Sequence, residues 1–187
     1  MAKKSDVIEI IKVSAILFAI TAVATAILAG VNSITAPKIE ENEKIAQQSA
    51  MKAVLPEAEN FEMLDASLDE TSTVVEIYDA GDAGVAVKVA PTGYGGKISM
   101  IVGIDNEFCV TGIEIISQSE TAGLGAKCTS DDFKGQFAGK TENLVVVKNG
   151  AVGNQVDAIS SATITSKAVT LGVNDAIVAA KVLKGGK

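Results

Sequence analysis

At 187 residues, 48% hydrophobic and 21% charged, the chain has room for one packed domain plus a short attachment, which excludes wholesale disorder. Its 16 basic residues, all lysine, stand against 23 acids, and a net charge of −7 with a pI near 4.7 excludes a binder of nucleic-acid backbone. Without His, Arg or Trp there is no Ser-His-Asp triad, no His-ligated zinc or haem and no guanidinium fork for phosphate, so chemistry has to come from a cofactor or from carboxylates, hydroxyls and lysines.

From Val13 to Val31 the chain carries no charge. Those residues span roughly 28 Å as a helix, close to the hydrocarbon thickness of a bilayer. Lys3, Lys4 and Lys12 precede the run and acids follow it at Glu40, Glu41 and Glu43, a bias that favours an N-in, C-out anchor. A cleavable signal peptide is the alternative, with Ala24-Thr25-Ala26 as its cleavage site, although the run is longer than a usual signal core. No cysteine follows closely enough for a lipoprotein anchor. The expected organisation is a cytoplasmic segment 1–12, a transmembrane helix 13–35, a stalk or docking helix 36–55 and a domain 56–187.

The stalk helix is expected to begin at Thr35-Ala36-Pro37, with Pro at the first helical position, and to close at Leu55-Pro56. Residues 57–72 are acidic and loosely patterned, anchored by Phe61 and Leu64. β-Branched runs predict strands over Thr73–Tyr78, Val85–Ala90, Ile98–Ile104, Phe108–Ile116 and Leu144–Val147, with Val110, Ile113 and Ile116 burying one side of the fourth. Turns fall at 81–84, 93–96, 105–106 and 149–150, and a short helix at Asp131–Phe137. A final helix, Thr163–Leu183, places Val169, Val173, Ile177 and Ala180 on one stripe. The fold class is α+β, an N-terminal transmembrane helix followed by a mixed, mainly antiparallel sheet domain with helices.

Ser160, Ser161, Thr163, Thr165 and Ser166 crowd hydroxyls at the start of that last helix. Unpaired amides and a partial positive charge there suit a phosphate, while plain N-capping by Ser or Thr accounts for the same pattern. Asp157-x-x-Ser160-Ser161-Ala162-Thr163 resembles the D-x-x-[ST]-[GS]-A-T flavinylation motif of the FMN-binding domain family, in which Gly is commoner at the Ser161 position. Glu120-Thr121-Ala122-Gly123-Leu124-Gly125 is similar to the E-T-P-G-L-G loop of the same family, with Ala122 in place of Pro. The likeness extends to the N-terminal anchor, the Ala-Pro-Lys-Ile-Glu-Glu-Asn stretch and the turn Gly93-Tyr94-Gly95-Gly96. It is nearest to the FMN-carrying G subunit of Rnf-type ferredoxin:NAD⁺ complexes; the FMN-carrying C subunit of the sodium-pumping NADH:quinone reductase is the longer counterpart.

The resemblance implies an electron-carrying subunit with FMN joined to Thr163 by a phosphoester that a flavin transferase installs. Its complex would couple ferredoxin-to-NAD⁺ transfer to Na⁺ or H⁺ export, with other membrane subunits as partners. It also implies that Asp157 is needed for modification, that Ser160, Ser161 and Ala162 line the phosphate, and that Glu120, Thr121, Leu124 and Tyr94 surround the ring. Gly123 and Gly125 would let backbone approach that ring, and Thr165 is the next hydroxyl should Thr163 be blocked. Without cations near the flavin, a low potential is expected. A pilin-like structural protein is the rival from another class, but Asp6 and Glu9 precede the apolar run and no Gly-aromatic processing site is present. A solute-binding module has too few aromatics. Cys109 and Cys128 either pair outside the cytoplasm or serve as small apolar residues.

Overall fold

A computed structural model describes residues 4–64, 72–141 and 143–185. Lys3 and most of the acidic stretch 57–72 beyond Leu64 lie outside them. The chain divides into two compact units, Met1–Lys44 and Ile45–Lys187.

The first element is one helix, α1, Lys4–Val54, which runs through Pro37. The expected start at Pro37 is therefore not a boundary. Pro37 has no N–H to donate, a defect of ~3 kcal/mol, yet the helix runs across it into the good helix formers Lys38, Glu40, Glu41, Glu43 and Lys44. Just before it the hydroxyls of Ser33 and Thr35 donate back to the carbonyls of Gly30 and Val31, at 2.8 and 3.0 Å. The apolar part of α1 reaches a mean hydropathy of 2.2 over an 18-residue window with none of it buried, so it is long and apolar enough to cross a membrane and is no core helix of this chain.

In the second unit five antiparallel strands form a sheet in sequence order: β1 Glu62–Leu64, β2 Val74–Asp79, β3 Val85–Val89, β4 Ser99–Ile104 and β5 Val110–Ser117. Alternation divides their side chains between two cores. Val85, Val87, Val89, Met100, Val102 and Ile104 face the last helix, α3 (Thr163–Gly185), whose Val169, Val173, Ile177 and Ala180 are all buried as one stripe. On the other face Ala86 and Ile101 meet Ala50, Met51, Val54 and Leu55 at the end of α1. Ile116 packs in this second core, not with Val110 and Ile113 as expected. The i, i+3, i+6 spacing of those three is helical, and a register shift near Gly103 and Val110 reassigns the faces.

Between β5 and α3 come a 3₁₀ turn Gly125–Thr129, the short helix α2 (Asp131–Lys134) and the strands β6 (Val145–Val147) and β7 (Gln155–Asp157), which pair in parallel. Cys109 and Cys128 are both free thiols, so they do not pair. Cys128 is fully buried, and burial, reinforced by the negative charge of Glu120, pushes its thiol up and keeps it protonated.

Gln47 in the closing turns of α1 joins a polar network on the sheet. Its amide donates to Glu76 Oε2 (2.9 Å) and Tyr78 Oη (2.7 Å), Tyr78 donates to Glu76 (2.7 Å), and Lys88 Nζ reaches Gln47 Oε1 at 2.9 Å. Burial and the Glu76 carboxylate push the Tyr78 phenol up to about 12 from 10.0. The folded protein thus favours the neutral phenol. That contribution is complete below pH ~10 and is lost as pH rises from there toward 12. Urea unfolding of the full chain in detergent should show stability falling across this window in the wild type and a flatter profile in Tyr78→Phe; identical slopes would refute the coupling.

Candidate functional site

The start of α3 is built by side chains that tie up the chain entering it. Asp157, on β7, donates its amide to Gln136 Oε1 (2.7 Å) and accepts the Ala151 amide at Oδ1 (3.0 Å), fixing the approach. Val156 and Ile159 are buried beneath it. Ser166 reaches back from the first turn: its Oγ accepts the Ile159 amide (2.9 Å) and donates to the Ala162 carbonyl (3.0 Å). Ser161 takes a left-handed backbone, φ 61°, which redirects the chain into the helix. The residue before the helix is Ala162, which has no side-chain acceptor to offer as a cap. The Ser166 amide bonds to Ala162 O at 3.0 Å, and the amides of Thr163, Ile164 and Thr165 have no hydrogen bond among the described residues.

A cleft of ≈ 520 Å³ opens at this helix start, within the size range of small-molecule sites. The Gly93–Gly96 turn contributes Tyr94; the following loop contributes Glu120, Thr121, Leu124 and Gly125; α3 and its approach contribute Ser161, Ala162, Thr163, Ile164 and Thr165. Of the residues proposed from sequence, Asp157, Ser160 and Gly123 do not line it. Asp157 supports the approach from behind, and Gly123 takes φ 78° at the bend of the loop. Ile164 went unproposed, although it stands between two threonines of the motif; its exposed apolar side chain lies at the cleft wall.

Glu120 is the acidic residue of the lining. It is 8% exposed, accepting the Gly95 amide at Oε1 (2.8 Å) and the Thr165 hydroxyl at Oε2. A Cβ at Gly125 would lie 2.6 Å from Oε2 and 2.7 Å from Thr165 Oγ1. The glycine there makes room for the carboxylate. Thr165 is 1% exposed, and its hydroxyl donates to Glu120. Thr163 is exposed, lines the cleft and makes no hydrogen bond through its hydroxyl among the described residues. A second cleft of ≈ 450 Å³ is lined by Glu57, Glu59, Glu62, Asp79 and Asp82, a setting that repels phosphate. An anion is therefore better received at the start of α3.

Comparison with known proteins agrees with the geometry. The family model described as FMN-binding domain matches residues 93–178, and that described as RnfG N-terminal region matches residues 1–54. The G subunit of the Na⁺-translocating ferredoxin:NAD⁺ oxidoreductase complex of Acetobacterium woodii is 40% identical over 187 residues, covering 90% of each chain. The proton-translocating counterpart of Clostridium ljungdahlii is 32% identical over 190 residues, covering all of both. The G subunit of the ion-translocating oxidoreductase complex of Methanosarcina acetivorans is 37% identical over 182 residues, 92% of this chain and 95% of that one. Among solved structures, the C subunit of the Na⁺-translocating NADH-quinone reductase of Parabacteroides distasonis shares the fold, with TM-score 0.54 at 21% identity over 78% of this chain and 93% of that one.

Sheet, cleft and apolar helix define an FMN-binding-domain protein with an N-terminal segment fit to cross a membrane. The chain belongs to the RnfG family, the G subunits of Rnf-type ion-translocating oxidoreductase complexes.

The left-handed backbone at Ser161 is one that glycine adopts without steric cost. A non-glycine residue there costs ~1–2 kcal/mol, against ~0.5–1 kcal/mol of chain entropy for glycine. Ser161→Gly should leave thermal stability equal or raise it by a few degrees, and Ser161→Val should lower it by more than that. A Ser161→Gly protein that melts clearly below the wild type would show that the serine side chain, not its backbone, is what the site needs.

Proposed function

We propose that the chain carries FMN covalently on Thr163 and passes electrons within a membrane complex that couples ferredoxin-to-NAD⁺ transfer to Na⁺ or H⁺ export. The observation that carries the attachment is the state of the hydroxyl cluster: Thr165 and Ser166 are buried and bonded, Ser160 lies off the cleft, and Thr163 presents a free hydroxyl at the first helical position. Ser161 also lines the cleft but sits two residues before the first of the unbonded amides.

FMN supplies one- and two-electron redox chemistry when bound, and the protein seats it and sets its surroundings. The amides of Thr163, Ile164 and Thr165 are placed to receive phosphate oxygens. Because no cation lines the cleft, a phosphate joined to threonine as a diester, with charge about −1 instead of the −1.5 to −2 of a monoester, suits it better. Tyr94, Leu124 and Ile164 offer apolar surface to a flat ring. The electrons pass to and from protein partners, since the cleft holds no group suited to activating a small substrate. A flavin transferase is required for maturation.

The apolar part of α1 spans the membrane once, N-terminus inside, because Lys3, Lys4 and Lys12 flank one end only. Residues 36–187 then lie outside the cytoplasm, with 36–55 as a stalk and 56–187 as the flavin domain; a tether there prevents loss of a cofactor that the cell has no means to recapture.

Two measurements test this. The intact chain from membranes that contain the transferase should be heavier than its sequence by one FMN less one water, and Thr163→Val should lose that mass while remaining folded. Retention of flavin in Thr163→Val would move the site, with Ser161 as the remaining hydroxyl on the cleft. Protease added to intact spheroplasts should digest the large domain; protection until lysis would reverse the topology.

A further inference from the structure

The three segments that wall the cleft share no strand pairing with one another. A single carboxylate bridges them by hydrogen bonds. Glu120 leads the 121–125 loop, Oε1 takes the amide of Gly95 in the turn that carries Tyr94, and Oε2 takes the hydroxyl of Thr165 in the first turn of α3. No lysine approaches Glu120 within ion-pair distance among the described residues, so its burial is compensated by those two donors. Burying a charge this way is costly unless its hydrogen bonds are complete.

The surrounding backbone is cut to fit the carboxylate. A Cβ at Gly93 would lie 2.5 Å from Oε1 and one at Gly125 2.6 Å from Oε2, so glycine stands on both sides of the group. A Cβ at Gly95 would collide with the carbonyl of Ser119, which lets the turn lie directly on the strand end that presents Glu120.

We infer that Glu120 is the positioning residue of the site: its carboxylate fastens the Tyr94 turn and the first turn of α3 to the Leu124 loop, and by engaging Thr165 it leaves Thr163 as the hydroxyl offered for modification. The second half of this rests on the FMN reading above; the first half does not. Glutamine at position 120 keeps the shape, accepting the Gly95 amide through its oxygen and donating to Thr165 Oγ1 through its nitrogen. Alanine removes both anchors.

The test uses the full chain in detergent and begins with hydrogen exchange in a Thr163→Val background, which carries no flavin on that residue. Glu120→Ala should speed exchange at the hydrogen-bonded amides of Gly95 and Ser166 by about ten-fold or more, leaving β3 and β4 protected, and Glu120→Gln should restore most of the protection. Should Glu120→Ala fail to fold, Thr165→Val removes a single hydroxyl and should loosen the start of α3 without loosening the turn at Gly95. In the Thr163-containing chain made with the transferase, peptide mass analysis should find flavin on Thr163 in wild type and Glu120→Gln and about ten-fold less in Glu120→Ala. Unchanged exchange in Glu120→Ala, wild-type flavin loading of it, or flavin on Thr165 while Glu120 is present would each overturn the assignment. A wild-type chain with no flavin mass would overturn the FMN reading instead, and the exchange result would still decide the role of Glu120.

Discussion

Everything at the cleft depends on where α3 starts, and that is fixed by burial farther along the same helix. Val169, Val173 and Ile177 lie against β3 and β4 with almost no surface left to solvent. Each such side chain contributes ~1.5–3 kcal/mol, so the stripe holds the helix far more firmly than any contact at its end. With the axis set, the first turn has little freedom. The approach through Val156, Ile159 and Ala162 is pinned into the same core, and Ser166 closes it from the helix side. The cost of this arrangement is local: a serine in a left-handed conformation and a helix whose leading residue offers no cap.

Electrostatics leave few alternatives for an anionic cofactor. The chain has no arginine, its net charge is −7, and a second cleft carries five carboxylates. A helix N-terminus is worth ~0.3–1 kcal/mol at an exposed position, up to ~2 kcal/mol when partly buried. That is well short of what is needed to retain a nucleotide at low concentration: even a millimolar affinity requires about 4 kcal/mol. A covalent bond, as proposed for Thr163, would supply retention without a cation, and the helix end would then need only to orient the group. Glu120 fits the same logic, since its charge is directed at Gly95 and Thr165, where two donors absorb it.

Regular segments were legible in the sequence because their periods are strong. β3 read as a β-branched run and β4 as a fully apolar one, and both sit largely buried; α3 read as a stripe and is one. The three-residue strands β1 and β7 were not legible, since three residues carry no period and their pairing is decided by distant partners. Pro37 signalled a helix start and sits mid-helix, because one missing donor removes a single hydrogen bond without ending the run. At the cleft the motifs name most of the residues that line it, but they gave no hint that Thr165 is spent on Glu120 while Thr163 is free. That distinction comes from a contact across 45 residues of sequence. Ser161 was legible only as a departure from glycine; its positive φ supplies the reason.

The end of α1 belongs physically to the domain it enters. Ala50, Met51, Val54 and Leu55 are buried against Ala86 and Ile101, and the hydroxyl of Thr111 on β5 donates to the Val54 carbonyl at 2.6 Å, meeting one of the acceptors that a helix leaves open at its C-terminus. Three of those side chains are large enough for ~1.5–3 kcal/mol each, a sum comparable with the whole stability of a small domain. A domain cut at residue 56 would strip one face of the sheet and expose Ile101, whereas a cut near residue 45 keeps both cores and the Gln47 network intact. The same packing means that the sheet is clamped from two sides, by the turns of α1 that precede it and by the helix that bears Thr163. The rigidity of the cleft is thus borrowed from a helix that begins in the apolar segment and ends as part of the core.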